Sequence, residues 1–375
     1  MKILVNTRLL LKNKLEGIGW FSFETLKRIT QQHPEHEFIF AFDREFDQEF
    51  IFSDNISPII LKPQARHPFL FYLWFEHAIA KALKKSKADL FLSPDGFLSL
   101  STKTKSLGVI HDINFEHYPK DLPWIITKYY QHYFPKFAQK ADRIATVSEF
   151  SKMDICEKYN INPQKIDVVY NGANEIFKPI SDQEKQETKK KYSKNEDYFI
   201  YVGALHARKN LVNLFKAFDK YRYSNNTKVN LLIVGEKKWW TPEINAAYEN
   251  LCFKEKVIFT GRLQSDELAK VMASALALTY VSYFEGFGIP IIEAFNSGVP
   301  VITSNVTSMP EVAKDAALLV NPFSVESIES AMKSITYDEN LRKSLIEKGN
   351  LRKLDFSWQK SADALWSSVL KTIEQ

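Results

Sequence analysis

Cysteine is scarce in this chain of 375 residues, which contains only Cys156 and Cys252. The two cysteines lie far apart and match no metal-ligand spacing, so the sequence indicates a reducing compartment. An excess of charge of one sign is also missing. There are 50 Lys and Arg against 45 Asp and Glu, a net charge of +5. So weak an excess does not predict a nucleic-acid partner.

Long apolar runs are absent. No run of the chain is long enough to span a bilayer. Met1 and Lys2 lead directly into the strand-like segment 3–5, without the apolar region and cleavage site of a signal peptide. We therefore expect a soluble, cytoplasmic protein.

One aromatic segment leaves two interpretations open. Residues 69–75, FLFYLWF, are followed by four lysines between positions 81 and 87. The pattern is typical of a core helix of the first domain with a solvated, lysine-rich end. It is also typical of a helix that lies on a membrane surface, which would make the protein peripheral at the inner face of the membrane.

Short apolar runs alternate with helix-period segments throughout the chain. The predicted strands are residues 2–6, 37–42, 88–92, 106–110, 143–146 and 166–169, followed in the second half by residues 198–202, 230–234, 257–259, 276–279, 300–302 and 317–320. Unbroken runs of this length are typical of parallel strands that are covered on both faces. Between the halves, residues 181–196 are polar and rich in Lys and Glu, which indicates a domain connection and a solvated helix.

The sequence therefore predicts an α/β protein of two Rossmann-like, doubly wound domains that face each other. We place the first domain at residues 1–178 and the second at residues 179–356. The helical segment 357–375 is expected to return to the first domain.

The segment 285–293, EGFGIPIIE, follows a predicted strand and opens a helix. Gly288 and its neighbouring glycine allow close approach of a ligand to the backbone, and the helix start offers N–H groups to a phosphate. Glu285 and Glu293 are placed to face the same cavity, where a carboxylate can hold a vicinal diol of a sugar or a ribose. The alternative is a glycine-rich turn with two solvated glutamates.

Two adjacent cations, Arg208 and Lys209, lie in the segment 203–211, which begins at Gly203 after the first strand of the second half. Cations at this edge of a parallel sheet can neutralise a diphosphate and stabilise it as a leaving group. The alternative is a helix start with surface charges.

The first half offers two weaker candidates. Gly17 and Gly19 open a helix after the first strand region, but no third glycine follows and no acidic ribose-binding residue is evident, so an oxidoreductase is disfavoured. His111 and Asp112 end the strand 106–110, where the imidazole can donate to a sugar hydroxyl. A structural histidine is the alternative.

No segment spaces His, Asp or Glu as a metal site, and no D-x-D motif occurs where a donor-binding metal would be expected. We therefore expect no metal and no other cofactor, with the diphosphate met by Arg208, Lys209 and backbone amides.

Taken in order, these segments resemble the group 1 glycosyltransferases, the large retaining family with the GT-B fold, in which two Rossmann-like domains face each other across a cleft. The resemblance covers almost the whole chain. It is carried by residues 16–19, 109–112, 146–151, 170–172, 203–211, 259–263, 285–293, 298–302 and 310–313.

The resemblance implies a role for each candidate. Arg208 and Lys209 match the cations that hold the donor diphosphate. Glu293 matches the carboxylate that binds the ribose diol, and Glu285 matches the carboxylate that contacts hydroxyls of the donor sugar. The remaining matches are Phe287, Gly288 and Ile289 at the sugar and phosphate, Gly17 and Gly19 at the phosphates, His111 at a distal sugar hydroxyl, and Gly261, Arg262 and Leu263 beside the nucleobase.

The activity that the resemblance implies is a metal-independent, retaining hexosyltransferase. Mannose would pass from GDP-mannose, a nucleotide-sugar substrate, to a glycan or lipid-linked acceptor in surface polysaccharide biosynthesis. Two alternatives stay open: a transferase of glucose or N-acetylhexosamine that uses UDP-sugars, and a non-catalytic nucleotide-binding protein of the same fold.

Overall fold

The computed structural model describes residues 1–225 and 227–374. By its contacts the chain divides into two units, and each contains one fully parallel sheet. The two α/β units with parallel sheets were predicted from the alternating apolar runs.

The first unit is built on a seven-stranded sheet in the order β3-β2-β1-β4-β5-β6-β7. Its strands are β1 (Lys2–Asn6), β2 (Glu37–Phe42), β3 (Ile56–Ile60), β4 (Leu90–Ser93), β5 (Lys105–Val109), β6 (Arg143–Thr146) and β7 (Ile166–Val168). Its helices up to this point are α1 (Gly17–Gln32), α2 (Pro68–Leu73), α3 (Ala80–Ser86), α4 (Asn114–His117), α5 (Trp124–Lys140) and α6 (Glu149–Tyr159). A π-helical turn, Trp74–Ile79, joins α2 to α3.

Strand β3 was not predicted. It pairs only with β2 at the edge of the sheet, and Pro58 interrupts its apolar run. Proline cannot donate to the ladder, so it is tolerated at an edge and hides the strand from a search for unbroken apolar runs.

The second unit is built on a six-stranded sheet in the order β10-β9-β8-β11-β12-β13. Its strands are β8 (Tyr198–Val202), β9 (Asn230–Val234), β10 (Val257–Gly261), β11 (Ala277–Tyr280), β12 (Val301–Ser304) and β13 (Leu318–Val320). Its helices are α7 (Asp182–Ser193), α8 (Leu211–Asn225), α9 (Pro242–Glu249), α10 (Ser265–Ala273), α11 (Ile289–Asn296), α12 (Met309–Ala313), α13 (Val325–Tyr337) and α14 (Glu339–Arg352).

The last helix, α15 (Trp358–Glu374), belongs to the first unit. It packs on α1, and the Trp366 ring stacks on His33 with 4.0 Å between centroids. Lys105 of β5 also donates to the carbonyl of Ile373 at 2.6 Å. Burial of the apolar side of α15 explains why a helical tail is part of this unit.

The boundary between the units differs from the expected one. The first unit ends at Gly172, and residues 173–178, assigned to the first domain from sequence, group by their contacts with the second unit. The polar stretch 181–196 contains α7, which begins with a capping box formed by Ser181 and Glu184. This helix packs on α10 within the second unit, so it is an integral part of that unit and not only a connection.

Candidate functional site

The loops that follow the two central strands of the second sheet hold the main candidates. β8 and β11 are neighbours, and successive strands are added outward from this pair in both directions. The strand order therefore reverses between them, and open parallel sheets bind ligands at such a point, beyond the carboxyl ends of the strands. Arg208 and Lys209 follow β8, and Glu285 follows β11.

Glu285 is hydrogen-bonded to both cations. Arg208 Nη1 donates to Glu285 Oε2 at 2.6 Å, and Lys209 Nζ donates to Oε1 at 2.5 Å. Lys209 Nζ also donates to the Tyr280 hydroxyl at 2.6 Å, and Arg208 Nη1 donates to the Phe284 carbonyl at 3.1 Å. Four residues are predicted to be catalytic: Glu285, His111, Arg208 and Lys209. All of them except His111 thus form one cluster with two positive charges and one negative charge.

The cluster is almost closed to solvent, since Glu285 is 5% and Lys209 8% exposed. Burial alone would raise the pKa of Glu285, but the charges of Arg208 and Lys209 outweigh it and lower this pKa to about 2. Burial also raises the pKa of the Tyr280 hydroxyl well above its usual value. The carboxylate is therefore ionised and the tyrosine neutral, which leaves a net positive charge suited to a phosphate group.

Neighbouring polar side chains fix the two loops. Asn210 has the left-handed conformation, with φ of +60°, which asparagine tolerates better than most residues. Its Nδ2 donates to the Val281 carbonyl at 3.0 Å and so ties the loop after β8 to the end of β11. Ser308 Oγ donates to the carbonyls of Glu285 and Phe287 at 2.9 and 3.1 Å. The loops that carry the cations and the carboxylate are therefore tied by hydrogen bonds to neighbouring elements.

Helix α11 starts immediately after this loop. Gly288 precedes this helix with φ of +103°, a backbone conformation that residues other than glycine rarely adopt. Ile289 is the first residue of the helix. Phe287 is buried, with its ring centroid 5.5 Å from that of Phe356. The aromatic ring anchors the turn, so its backbone is the part of this residue placed to meet a ligand.

Glu293 lies in the second turn of α11. Among the described residues, none donates a hydrogen bond to its carboxyl group. Part of its surface remains open to solvent, but the protein packed around it raises its pKa to about 8 by burial. A partly open carboxyl group without a protein partner is available to the hydroxyl groups of a ligand.

The remaining candidates of the second unit lie at adjacent strand ends. Gly203 N donates to the Val234 carbonyl at 3.0 Å, and Gly235 N donates to the Gly261 carbonyl at 3.0 Å. Gly261 has φ of +72°, and a Cβ there would meet nothing within 4 Å. Arg262 is exposed and Leu263 half-buried. The structure therefore places the candidates Gly203, Gly261, Arg262 and Leu263 at the same edge of the sheet as the ionic cluster.

The candidates of the first unit, Gly17 and Gly19, differ in their surroundings. Gly17 is exposed at the first turn of α1, and a Cβ on it would meet nothing within 4 Å. A Cβ on Gly19 would lie 3.2 Å from both the Leu9 carbonyl oxygen and Leu15 Cδ2. A side chain at position 19 would therefore be crowded, whereas Gly17 leaves the backbone open.

His111 is positioned by its Nε2, which lies 2.8 Å from the Pro94 carbonyl and donates to it. Its ring is edge-on to Phe21 of α1, with 5.0 Å between centroids, so His111 lies beside the helix that Gly17 begins. Burial lowers the pKa of the imidazole. A neutral ring whose Nε2–H is occupied has only the acceptor Nδ1 left, so in this arrangement we expect His111 to accept from a sugar hydroxyl and not to donate to one.

Two polar groups at these sheet edges were not predicted from the sequence. Tyr280, which accepts a hydrogen bond from Lys209, lies one residue beyond the predicted strand 276–279. Arg8 Nε donates to Asp95 Oδ2 at 2.6 Å, and its guanidinium carbon lies 4.6 Å from the centre of the Phe97 ring. Arg8 and Asp95 follow β1 and β4, so their position at the carboxyl ends of strands was the available signal.

Among residues 1–225 and 227–374, no group of three or more His, Cys, Asp or Glu side chains could hold a metal ion. Within the same ranges, no helix is long and apolar enough to cross a membrane.

Two family models match the chain in tandem. The model described as Glycosyltransferase Family 4 matches residues 16–175, which include Gly17, Gly19 and His111. The model described as Glycosyl transferases group 1 matches residues 182–352, which include the ionic cluster and Glu293.

Two relatives are mannosyltransferases by name. O-antigen chain mannosyltransferase B of Escherichia coli is 27% identical over 374 residues, covering 96% of this chain and 97% of that protein. O-antigen chain mannosyltransferase RfbU of Salmonella typhimurium is 35% identical over 227 residues, covering 60% of this chain and 59% of that protein.

Solved structures resemble the chain over nearly its full length. WaaG, a glycosyltransferase involved in lipopolysaccharide biosynthesis, superposes with a TM-score of 0.76 at 16% identity and covers 97% of this chain and 99% of that one. Anabaena HepE, in complex with UDP and glucose, superposes with a TM-score of 0.77 at 14% identity. The match covers 98% of this chain and 99% of that one. At such low identity these likenesses concern the fold alone, and the fold is GT-B.

Proposed function

Because the chain belongs to the group 1 glycosyltransferase family, we propose that it transfers mannose from GDP-mannose to a glycan or lipid-linked acceptor in surface polysaccharide biosynthesis. The mannose and the polysaccharide pathway are supported by the names of the O-antigen relatives, one of which aligns with almost the whole chain.

The observation that supports this proposal most strongly is the buried cluster of Arg208, Lys209 and Glu285. Transfer of a sugar leaves a nucleoside diphosphate with an additional negative charge. Two cations fixed at the crevice between β8 and β11 would stabilise that charge in the transition state, without the reorganisation that solvent requires. We propose that they serve here in place of a metal ion.

Glu293 is proposed to hold the ribose of the nucleotide. An ionised carboxylate can accept one O–H of a vicinal diol on each oxygen, and no described residue competes for it. The proposed role of Glu285 is to contact hydroxyls of the donor sugar while it also orients the two cations.

Transfer is proposed to retain the anomeric configuration. The bond from the anomeric carbon to the leaving phosphate oxygen breaks as the acceptor oxygen approaches from the same face, and the acceptor proton passes to that phosphate. The protein then acts by positioning and by charge stabilisation. The roles implied for Gly17, Gly19 and His111 remain predictions.

A donor panel tests the proposal. GDP-mannose, UDP-glucose and UDP-N-acetylglucosamine are compared by thermal shift, and their turnover is followed with and without EDTA. We expect stabilisation and turnover with GDP-mannose, unaffected by EDTA, and an α-linked product. Preference for a UDP-sugar would overturn the donor assignment. Loss of activity in EDTA would overturn the metal independence, and binding without turnover would overturn the catalytic function.

A further inference from the structure

Four large apolar side chains of the first unit are exposed on α2 and α5. Phe69 and Tyr72 of α2 are 64% and 39% exposed, and Trp124 and Ile125 at the start of α5 are 73% and 47% exposed. Exposed apolar groups that adjoin one another indicate an interaction surface, whereas isolated ones need no explanation.

The two side chains of α2 lie in a groove against α5, and Ile125 lies on the side of α5 that lines this groove. Phe69 and Tyr72 line a shallow groove together with Tyr129 and Tyr133 of α5. The rings of Tyr72 and Tyr133 have centroids 6.3 Å apart. Ile125, Tyr129 and Tyr133 follow one another at four-residue spacing and therefore share a side of α5. We call Phe69, Tyr72, Trp124, Ile125, Tyr129 and Tyr133 the aromatic surface.

The most exposed members of the aromatic surface, Phe69 and Trp124, lie outside the core of the first unit, whereas Tyr129 and Tyr133 also pack against it. The opposite side of the same helical segment packs inward, where Phe71, Trp74 and Phe75 are at most 7% exposed. This confirms the core-helix interpretation for the inner side only. The outer side, with Phe69 and Tyr72, is exposed. The segment can therefore pack in the core on one side and bind a surface with the other.

Basic residues outnumber acidic ones in the two segments of the chain that carry the aromatic surface. In residues 66–88 and 124–140 the only acidic residue is Glu76, and its carboxylate accepts hydrogen bonds from the backbone N–H groups of Leu100 and Ser101 at 2.6 and 3.0 Å. Lys136 Nζ lies 5.5 Å from the centre of the Tyr133 ring, and Lys128 is one helical turn from Trp124. The basic residues of the two segments are Arg66, Lys81, Lys84, Lys85, Lys87, Lys128, Lys136 and Lys140.

We propose that the aromatic surface and its flanking lysines bind the surface of an anionic lipid bilayer. Tyrosine and tryptophan are suited to the boundary between headgroups and acyl chains, because each has an apolar ring and a polar tip. Lysines at the rim can extend to anionic headgroups while their stems cover apolar area. A bilayer requires no fixed complementary shape, which fits a shallow groove edged by long, flexible cations.

Vesicle flotation tests this proposal without donor or acceptor, so its result is independent of the proposed transferase activity. The full chain is mixed with phosphatidylcholine vesicles, either pure or containing phosphatidylglycerol. We expect it to float only with the anionic vesicles and to dissociate as salt is raised. Equal flotation with both vesicle types, or with neither, would overturn the proposal.

Variants separate the two contributions. Phe69→Ser with Trp124→Ser removes apolar contact, and Lys128→Glu with Lys136→Glu reverses charge. Each pair should weaken partition to anionic vesicles by about tenfold or more. The matched control is Tyr223→Ser with Lys216→Glu in the second unit, where Tyr223 is 81% exposed, and it should float like the wild type.

Thermal shift with the donor panel shows whether each variant is folded, because the substituted residues lie outside the nucleotide-binding candidates. Unchanged flotation of either surface variant would contradict the proposal. The surface would be assigned to nucleic acid instead if the wild type did not float but bound RNA, and if the Lys128→Glu, Lys136→Glu variant lost this RNA binding.

Discussion

The ammonium group of Lys209 donates to Glu285 at 2.5 Å, so a cation expected to meet the donor diphosphate is already paired within the protein. Glu285 also accepts from Arg208 at 2.6 Å. The carboxylate therefore holds both cations in place before any ligand arrives, and reduces their combined charge to one positive unit. A diphosphate must share the cations with this carboxylate or displace it.

Replacing Lys209 by alanine should weaken binding of the nucleotide diphosphate and slow transfer. A buried charge that stabilises the leaving group is lost, so we expect a decrease in transfer rate of about a hundredfold or more. Steady-state kinetics and calorimetric titration measure the two effects. Lys216→Ala, an exposed lysine of α8, is the matched control and should behave as the wild type. Transfer by Lys209→Ala within about threefold of the wild type would contradict the assignment, since that is below 1.36 kcal/mol.

Glu285→Gln should affect binding and transfer in opposite directions. Removing the negative charge leaves both cations to the phosphates, so the product nucleotide should bind more tightly while transfer falls. Calorimetry with the nucleoside diphosphate and turnover assays measure the pair, with the exposed Glu347→Gln as control. Parallel loss of both properties would show that Glu285 serves only to build the site.

The same variant should be less stable at neutral pH. Because the charges lower the folded-state pKa of Glu285 from 4.5 to about 2, its stabilising contribution is complete above pH 4.5 and is lost as the pH falls toward 2. Calorimetric melting should therefore separate wild type from Glu285→Gln at pH 7 and bring them together in acid, provided both remain folded there. A constant difference across this range would assign the loss to packing.

Much of the sheet architecture was predictable from sequence because its strands are buried on both faces. Tyr198–Val202 and Asn230–Val234, for example, are fully buried apolar runs, and their predicted bounds are those observed. The edge strand β3 has neither an unbroken apolar run nor two buried faces, so the same signal was absent.

The site was predictable as a set of loops but not as a network of contacts. The segments 203–211 and 285–293 each follow a predicted strand, which placed Arg208, Lys209 and Glu285 at one edge of the sheet. The hydrogen bonds from both cations to Glu285 join side chains 76 and 77 positions apart in the sequence, and no local pattern predicts them. Tyr280 was missed because a buried tyrosine in a strand has the same sequence pattern as a core residue. The acceptor state of His111 follows from its contact with the Pro94 carbonyl, which no spacing rule indicates.

Gly17→Val and Gly19→Val should separate function from folding at the start of α1. The added side chain on Gly19 meets the Leu9 carbonyl oxygen, so this variant should lose about 1–3 kcal/mol of unfolding free energy. Gly17 has open space, so its variant should melt within about 0.5 kcal/mol of the wild type. If the Gly17 backbone meets donor phosphates, Gly17→Val should nevertheless slow transfer. Wild-type transfer by a stable Gly17→Val variant would exclude that role.

His111 should be neutral and protonated on Nε2 at pH 7. Burial lowers the pKa of its imidazole, and the Pro94 carbonyl accepts the proton on Nε2. Long-range proton–nitrogen spectra of protein labelled with ¹⁵N-histidine report the tautomer, and His111→Asn assigns the signal. The exposed His77 serves as an internal reference for the spectra. A His111 signal protonated on Nδ1 at pH 7 would contradict the acceptor role.

Glu293 should make donor binding dependent on pH. Burial raises its pKa to about 8, so at pH 7 most of the ligand-free protein carries a protonated Glu293. A carboxylate that accepts two ribose hydroxyls must first lose this proton. Affinity should therefore increase as the pH rises from 6 toward 8, by at most about tenfold per pH unit, and binding should release a proton.

Glu293→Gln isolates this effect, because any titration of the nucleotide itself is common to both proteins. The variant should bind more weakly than the wild type at pH 8, and their difference should shrink as the pH falls. Stability should change in the opposite sense. The folded wild type retains a proton that the unfolded chain releases above 4.5, so Glu293 becomes more destabilising as the pH rises toward 8, and the uncharged variant should gain melting temperature over the wild type in that range. Calorimetric titrations in buffers of different ionisation enthalpy count the released proton. An affinity difference that does not vary between pH 6 and 8 would show that the nucleotide does not bind through ionised Glu293.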